Sequence, residues 1–446
     1  MLRLRDGQGT LWEEFLPPEI RVLSDELTAI DELLDNERFL EPFKKRLACT
    51  MGRPTIPMET YLRLMYLKHR YSLGYETLVK EVADSLSWRR FCRIRLDERV
   101  PHSTTVLKLT KRCGTAVIDE LNTTLLRTAV ERRVLRSRRL RVDTTAMDAD
   151  VRYPTDSGLC AHAISKIGHL VRKVKAAGLA KRTPFRDRRR RAGKVVRWVS
   201  HALGRQGSRA AVDKCTRELR DLSRATLREA TRVLRNCQRA LRTDPRKGAA
   251  IVRLLADTMA TAERVITQTT RRLAGETVIP DRLVSLSDTD ARPIRRGKPQ
   301  KLTEFGYKVS IADTPEGFVV AHQVYKGNPA DAQTLEAAVA AAQATGMNIG
   351  CVAADRGYGD AVGDHALEVR GIRDKVIPRK GRADPVERTQ NWRRRYRWRA
   401  GGEGRISCLK REYGLRRTRL KGHTGATIWT GFGVLAHNLD KFVALA

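Results

Sequence analysis

Two short segments, more than two hundred residues apart, constrain this chain most: both read as strands and both lead into an aspartate. In Arg139-Leu140-Arg141-Val142-Asp143, apolar and polar residues alternate with the period of two that a strand imposes. Residues 349–355 form a short apolar run closed by Asp355, suited to a strand buried on both faces. Between them, from about residue 158 to 276, the period turns helical. Val212, Cys215, Leu219 and Leu222 mark one helix, and Ile251, Leu255, Met259, Ala262, Ile266 and Leu273 a second. Asp244-Pro245-Arg246-Lys247-Gly248 is the turn between them, so the pattern predicts an antiparallel helical hairpin. Strands resume at 307–312 and 318–324, joined by the turn Asp313-Thr314-Pro315-Glu316-Gly317, and another is expected near 375–377. Asn328-Pro329 reads as the start of a helix that Gly346 ends. The expected fold class is α/β, with a helical insertion at about 158–276.

The insertion is where the charge sits. The chain has 446 residues and a formal net charge of +36, and residues 161–250 alone hold 26 Lys and Arg against 6 Asp and Glu. Its densest piece contains Arg188-Arg189-Arg190-Arg191. Such a surplus repels itself and calls for an acidic partner, and nucleic acid, with its dense phosphates, is the obvious one. These four arginines are therefore candidate phosphate contacts. The cysteines are scattered without a Cys-x-x-Cys pair, which speaks against a zinc ribbon or a disulfide framework and fits a reducing compartment. Cys160, His162 and His169 lack a fourth ligand for zinc. No run approaches the roughly 18 apolar residues of a membrane span. Met1–Asp6 carries no apolar leader, so a cytoplasmic protein with no membrane partner is expected.

Ahead of the first strand the chain reads helical. Leu23, Leu27, Ile30 and Leu34 recur at helical spacing within residues 11–48, and Gly52-Arg53-Pro54 breaks the chain. Short helices follow through Leu62, Met65 and Tyr66, through Leu78, Val79 and Val82, and through Leu86, Trp88, Phe91 and Ile94. Ser103-Thr104-Thr105 can cap a long helix to about Arg132. Short helices with tight turns in a basic chain suggest a helix-turn-helix reader near 57–98. The division expected is an N-terminal helical segment (1–50), a helix-turn-helix-like DNA-binding domain (51–135) and a catalytic domain (136–446) carrying the insertion.

Cutting a phosphodiester calls for a cluster of acids. Two divalent ions about 3.5–4 Å apart can activate the attacking oxygen and stabilise the leaving one. Magnesium takes carboxylate oxygens. Asp143 and Asp355, at the ends of two strands of one α/β sheet, are where such sites form. A third acid comes from spacing: Tyr396, Arg399, Glu403 and Lys410 fall within about a 60° arc at the helical period. Gly401, Gly402 and Gly404 oppose a continuous helix, each by about 1 kcal/mol relative to Ala. The helix proper is therefore expected to begin near Glu403. Asp148, Asp150, Asp288 and Asp290 read as loop acids, and Asp360 as a helix cap.

The whole pattern resembles bacterial insertion-sequence transposases of the DDE class, in the branch with a Tyr-x2-Arg-x3-Glu-x6-Lys signature. Tyr396, Arg399, Glu403 and Lys410 match that signature at every spacing. Val142-Asp143-Thr144-Thr145 and Ala354-Asp355-Arg356-Gly357-Tyr358 look like the strands of the first and second aspartates. Ser287-Asp288-Thr289-Asp290-Ala291-Arg292 and Phe305-Gly306-Tyr307-Lys308 resemble the stretch between them, and Gly52-Arg53-Pro54 with the helices after it the N-terminal domain. A basic insertion between the two aspartates departs from many relatives, which insert before the Glu. The resemblance implies a ribonuclease H-like catalytic domain after an all-α DNA-binding domain. Asp143, Asp355 and Glu403 would hold two Mg2+ ions, with Mn2+ as a substitute, supported by Tyr396, Arg399 and Lys410. It further implies binding of terminal inverted repeats, end cleavage, and joining of the 3′-hydroxyl ends to target DNA. A homodimer on paired ends and a nucleoid-associated protein in a bacterial cytoplasm complete the expectation. The competing reading is a non-catalytic sequence-specific DNA-binding regulator or an inactive transposase relative.

Overall fold

Residues 2–4, 17–47, 52, 54–202, 209–246, 248–295 and 303–446 are described by the structure, a computed structural model. Arg53 of the expected break, residues 11–16 and 48 of the first helical reading, and Lys247 of the expected turn lie outside them. The chain divides into two compact units, one formed by Met1–Ala149 with Tyr307–Ala446, the other by Asp150–Gly306. The insertion is thus wider than the 158–276 expected, because the segments flanking its helices fold with them. Leu283 exchanges hydrogen bonds with the side chain of Gln268, and Arg282 pairs with Asp156. Among the described residues no helix is long and apolar enough to cross a membrane.

The first unit begins with helices α1 (Asp25–Leu34), α2 (Glu41–Leu47), α3 (Met58–Arg70), α4 (Tyr75–Asp84), α5 (Leu86–Phe91) and α6 (Ser103–Glu131). Ser24 caps α1 by accepting from the Leu27 N–H, and Ser85 caps α5 by accepting from Trp88. Met58 through His69 of α3 are all buried. A helix that reads a groove must leave one face open, which the buried stretch of α3 does not. These helices fall in one compact unit with the sheet. The C-terminal helix α14 (Gly422–Leu445), with fourteen buried residues, packs on α3, on α6 and on a strand of the sheet, and joins them through one core.

That sheet contains β1 (Arg139–Asp148), β3 (Thr303–Asp313), β4 (Val319–Tyr325), β5 (Cys351–Ala353) and β6 (Asp374–Val376), in the order β4, β3, β1, β5, β6. β1 and β5 are parallel, as are β5 and β6, whereas β3 and β4 form an antiparallel hairpin. Helices α11 (Leu335–Ala344) and α12 (Ala361–Val369) lie between β4 and β6 in sequence. The first of these starts after a 3-10 turn at Asp331–Thr334 rather than at Asn328-Pro329. Gly346, with φ +92°, ends it in the left-handed conformation that glycine tolerates. Helix α13 (Gln390–Glu412) runs unbroken through Gly401, Gly402 and Gly404.

The second unit holds α7 (Asp156–Ala176), α8 (Arg189–Ala202), α9 (Arg209–Thr243) and α10 (Ala249–Leu273), so the expected hairpin α9–α10 is half of a four-helix group. Along α9 the buried residues Thr216, Leu219, Ser223, Thr226, Ala230, Val233 and Cys237 repeat at alternating steps of three and four. That is the seam period of a coiled-coil-like bundle, and α9 packs against both α7 and α10. β2 (Arg292–Arg295) closes the unit by pairing antiparallel with the first residues of β3, Thr303–Gly306.

Candidate active site

The pairing of β1 with β5 sets Arg139, Leu140 and Arg141 opposite Cys351, Val352 and Ala353. Two residues further on each chain come Asp143 and Asp355. The parallel register therefore delivers both carboxylates to one level of the sheet. Asp143 is not at a strand end as expected. β1 continues to Asp148, whose N–H donates to Arg416 O at 3.1 Å while its carbonyl accepts from Thr418 N at 2.9 Å. Asp355 stands at the end expected of it: it caps the turn Arg356–Tyr358, accepting from the Gly357 N–H at 2.7 Å. The Thr144 N–H donates to Asp143 Oδ1 at 2.7 Å.

Arg399 joins the two aspartates. Its Nη2 lies 3.5 Å from Asp143 Oδ2 and 3.8 Å from Asp355 Oδ2, with the guanidinium largely buried. Its Nε is buried without a hydrogen-bond partner among the described residues. Helix α13 reaches this point because Gly401 and Gly402 let it lie on β1. A Cβ at Gly401 would stand 2.8 Å from Arg141 Nη1, and one at Gly402 3.2 Å from Arg141 Cδ. Arg141 is pinned there: its Nε donates to Asp313 Oδ1 at 2.8 Å and its Nη1 to Trp398 O at 2.7 Å. The glycines that locally oppose a helix thus permit its closest approach to the sheet. Packing overrides their propensity. Tyr396 stacks on Trp392 with ring centroids 4.9 Å apart, and both rest with Trp398 on Cys351, Ala353 and Val376.

Glu403 lies one turn beyond Arg399 on the same face of α13, and is exposed. Among the described residues no three Asp, Glu, His or Cys side chains are grouped so as to hold a metal ion. Two aspartates thus meet at one level of the sheet, and an arginine stands against them. Two like charges at one level of a sheet repel, and the α13 guanidinium is the counter-charge the fold supplies. Lys410, half-buried, sits two turns beyond Glu403.

A further acid joins the site. Asp331 Oδ1 accepts from the Thr144 hydroxyl at 2.7 Å and from Lys308 Nζ at 2.7 Å. The Lys308 ammonium is buried and also donates to Pro329 O at 2.7 Å. A Cβ at Gly357 would meet Asp355 Oδ1 at 2.8 Å and Asp331 Oδ2 at 3.0 Å, so the two acids flank that glycine. Burial raises the Tyr358 phenol well above its ordinary pKa, and Asp331, Asp143 and Asp355 push it the same way. Neither Asp331 nor its bond to Lys308 was expected. Lys308 lay within the Phe305–Lys308 stretch already singled out, which was the available signal. Of the supposed loop acids, Asp288 is buried. Asp360 caps α12 as expected, accepting from Gly363 N at 3.0 Å.

In the other unit the four-arginine run is not the bare charge it was read as. Arg188 makes two bonds to Glu229, at 2.6 and 3.0 Å, and Glu229 is drawn down to about 2 first by that bond. Arg189 pairs with Asp187, and Arg191 with Glu218 at 2.9 Å. Only Arg190 stands exposed without such a partner among the described residues. The acids that neutralise the run come largely from a neighbouring helix, which the local sequence could not show.

Residues 14–112 match the family model "Transposase domain (DUF772)", and residues 282–439 match "Transposase DDE domain". The second stretch contains Asp331, Asp355, Arg399 and Glu403; Asp143 lies outside both. An uncharacterized protein, ORF8 in the nfe locus of Rhizobium meliloti, is 29% identical over 157 residues, 34% of this chain and 74% of that protein. No solved structure matches. Two transposase models in the order of the N-terminal helices and the aspartate-bearing sheet place the chain in the DDE transposases of insertion sequences.

Proposed function

We propose that the chain binds the terminal inverted repeats of its element, cleaves at the ends and joins the 3′-hydroxyl ends to target DNA. The observation that carries this is the meeting of Asp143 and Asp355 around one cation, the guanidinium of Arg399. A positive group against two carboxylates stands in for divalent ions. The donor set is all carboxylate oxygen, which suits Mg2+ or Mn2+. Asp143, Asp355 and Glu403 are the residues to hold them. Bound there, such ions supply a polarised attacking oxygen and a stabilised leaving oxygen.

The protein's own share is positioning. The Thr144 and Gly357 N–H groups fix the two aspartates, and the stacked Trp392 and Tyr396 fix α13 to the sheet. Arg399, with a buried Nε that lacks a partner, has donor capacity left for a phosphate oxygen. Phosphoryl transfer asks for little more than such alignment and charge. The full cycle calls for two ends, and hence for a homodimer.

The test is Asp355→Asn in the full chain. Cleavage of end-containing duplex in Mg2+ should fall by at least about a thousandfold, the scale of losing a principal transition-state contact. Binding to the same duplex should stay within about twofold, because no DNA contact is removed. A variant that still cuts at a near-normal rate would overturn the assignment and favour a regulator.

A further inference from the structure

A row of exposed arginines in the second unit lies on α9. Arg228, Arg232, Arg235, Arg239 and Arg242 are all exposed, and none makes a hydrogen bond or ion pair among the described residues. At the helical period they fall within an arc of about 80°, centred opposite the seam from Thr216 to Cys237. The one acid in residues 228–243, Glu229, is hydrogen-bonded by Arg188 and also feels the charge of Arg232. From Arg228 to Arg242 the stripe runs about 21 Å, at 1.5 Å per residue.

At its centre the stripe borders an open surface pocket of about 390 Å3, lined by Arg232, Arg235 and Arg239 with Arg182, Thr183 and Asn236. The cavity has a built floor. Thr183 is buried, its hydroxyl accepting from Asn236 Nδ2 at 2.8 Å and its carbonyl from Lys175 Nζ at 2.6 Å. Those bonds hold the loop that brings Arg182 to the helix. Four guanidiniums facing one small space, with no acid in its lining, repel one another unless an anion is present.

We propose that this face is a duplex-DNA backbone site: the stripe tracks one strand, and the four arginines of the open pocket contact a phosphodiester. One strand carries a charge every 3.4 Å along the axis, so the stripe has the length of about six phosphates. An acidic protein surface has no such regular spacing. The assignment moves the phosphate contact away from Arg188–Arg191, most of which is neutralised within the unit. It rests on the transposase reading, for which it names the surface that holds DNA without reading sequence.

The experiment measures full-chain binding to two duplexes, one carrying a terminal repeat and one scrambled, across a salt series. Changing Arg232, Arg235 and Arg239 together to Ala should weaken both equally. The slope of log affinity against log salt should become shallower by up to about 2.7, at 0.9 per lost contact. Arg235→Glu, a single exposed reversal, should act in the same direction and guards against misfolding of the triple variant. An unchanged slope in both variants overturns the site, as does a loss confined to the repeat-carrying duplex. A larger loss for single-stranded RNA than for duplex would also overturn it. Asp355→Asn is measured alongside and should keep the wild-type slope. Cleavage lost in Asp355→Asn with no slope change in the arginine variants sinks this site alone. Cleavage retained there with a reduced slope in them sinks the transposase chemistry alone.

Discussion

Asp143 and Asp355 sit on neighbouring parallel strands, and a single residue, Arg399, decides what that proximity means. Without a cation between them, the two carboxylates would repel each other uncompensated. Asp331 solves a related problem beside them. Lys308 is buried, and Asp331 is the carboxylate that compensates its charge. Asp331→Ala should therefore lower the unfolding free energy by about 3 kcal/mol, the low end for a broken buried pair, since Asp331 keeps some surface in water. It should also slow cleavage, because Thr144 loses the acceptor of its hydroxyl next to Asp143. Denaturant unfolding with a single-turnover cleavage assay checks both. An unchanged midpoint would show that Lys308 is compensated elsewhere.

At the scale of elements, α13 is the part whose local sequence argues against the structure it takes. Gly401, Gly402 and Gly404 make a weak helix in isolation. The first two sit over the Arg141 side chain, where a methyl group would press on a buried ion pair with Asp313. Gly404 has nothing within 4 Å of the same point. Opposite outcomes follow from one chemical change. Gly402→Ala should destabilise by about 1–3 kcal/mol through overpacking. Gly404→Ala should stabilise by about 1 kcal/mol through helix propensity. Thermal unfolding of the two variants side by side distinguishes packing from propensity; equal and positive shifts would mean that α13 does not press on Arg141. No periodicity in the sequence reveals this division of labour among the three glycines, because it depends on what lies beneath the helix.

At the scale of the molecule, buried histidines set the response to acid. In the first unit His69 and His437 are buried, and His322 is half-buried with its Nε2 out of contact with solvent. Burial lowers each: His322 to about 4, His437 to about 3, and His69 well below its ordinary value. The unfolded chain binds these protons near 6.5, and the folded chain does not. Stability is therefore fully present above pH 6.5 and falls as the pH drops toward 4 and below. Each proton contributes up to about 1.4 kcal/mol per pH unit. Asp440, raised by burial, takes up its proton more readily when folded and offsets part of the loss. In the second unit the pairs of Glu229 with Arg188 and of Asp187 with Arg189 hold both acids near 2, so that their contribution is lost only between about pH 4.5 and 2. Hydrogen exchange at pH 7, 5 and 4 should show the first unit opening before the second. Identical protection of the first unit at pH 7 and 5 would count against the buried histidines as the cause.

What the sequence determined by itself is what repeats locally. The alternation around Leu140 and Val142, the apolar run before Asp355, the helical period of the insertion and the one-sided spacing of Tyr396, Arg399, Glu403 and Lys410 all follow from backbone geometry. They were enough to place two aspartates in one sheet. Tertiary structure alone decided which charges face each other. Arg188 and Arg235 are alike in sequence terms, yet one is bound to Glu229 and the other lines an open cavity. Asp331 joins Asp143 across 188 residues of chain, through Thr144, and Arg399 stands beside the two aspartates. The reason is that Coulomb and packing energies depend on separation in space, and only the folded chain specifies that separation.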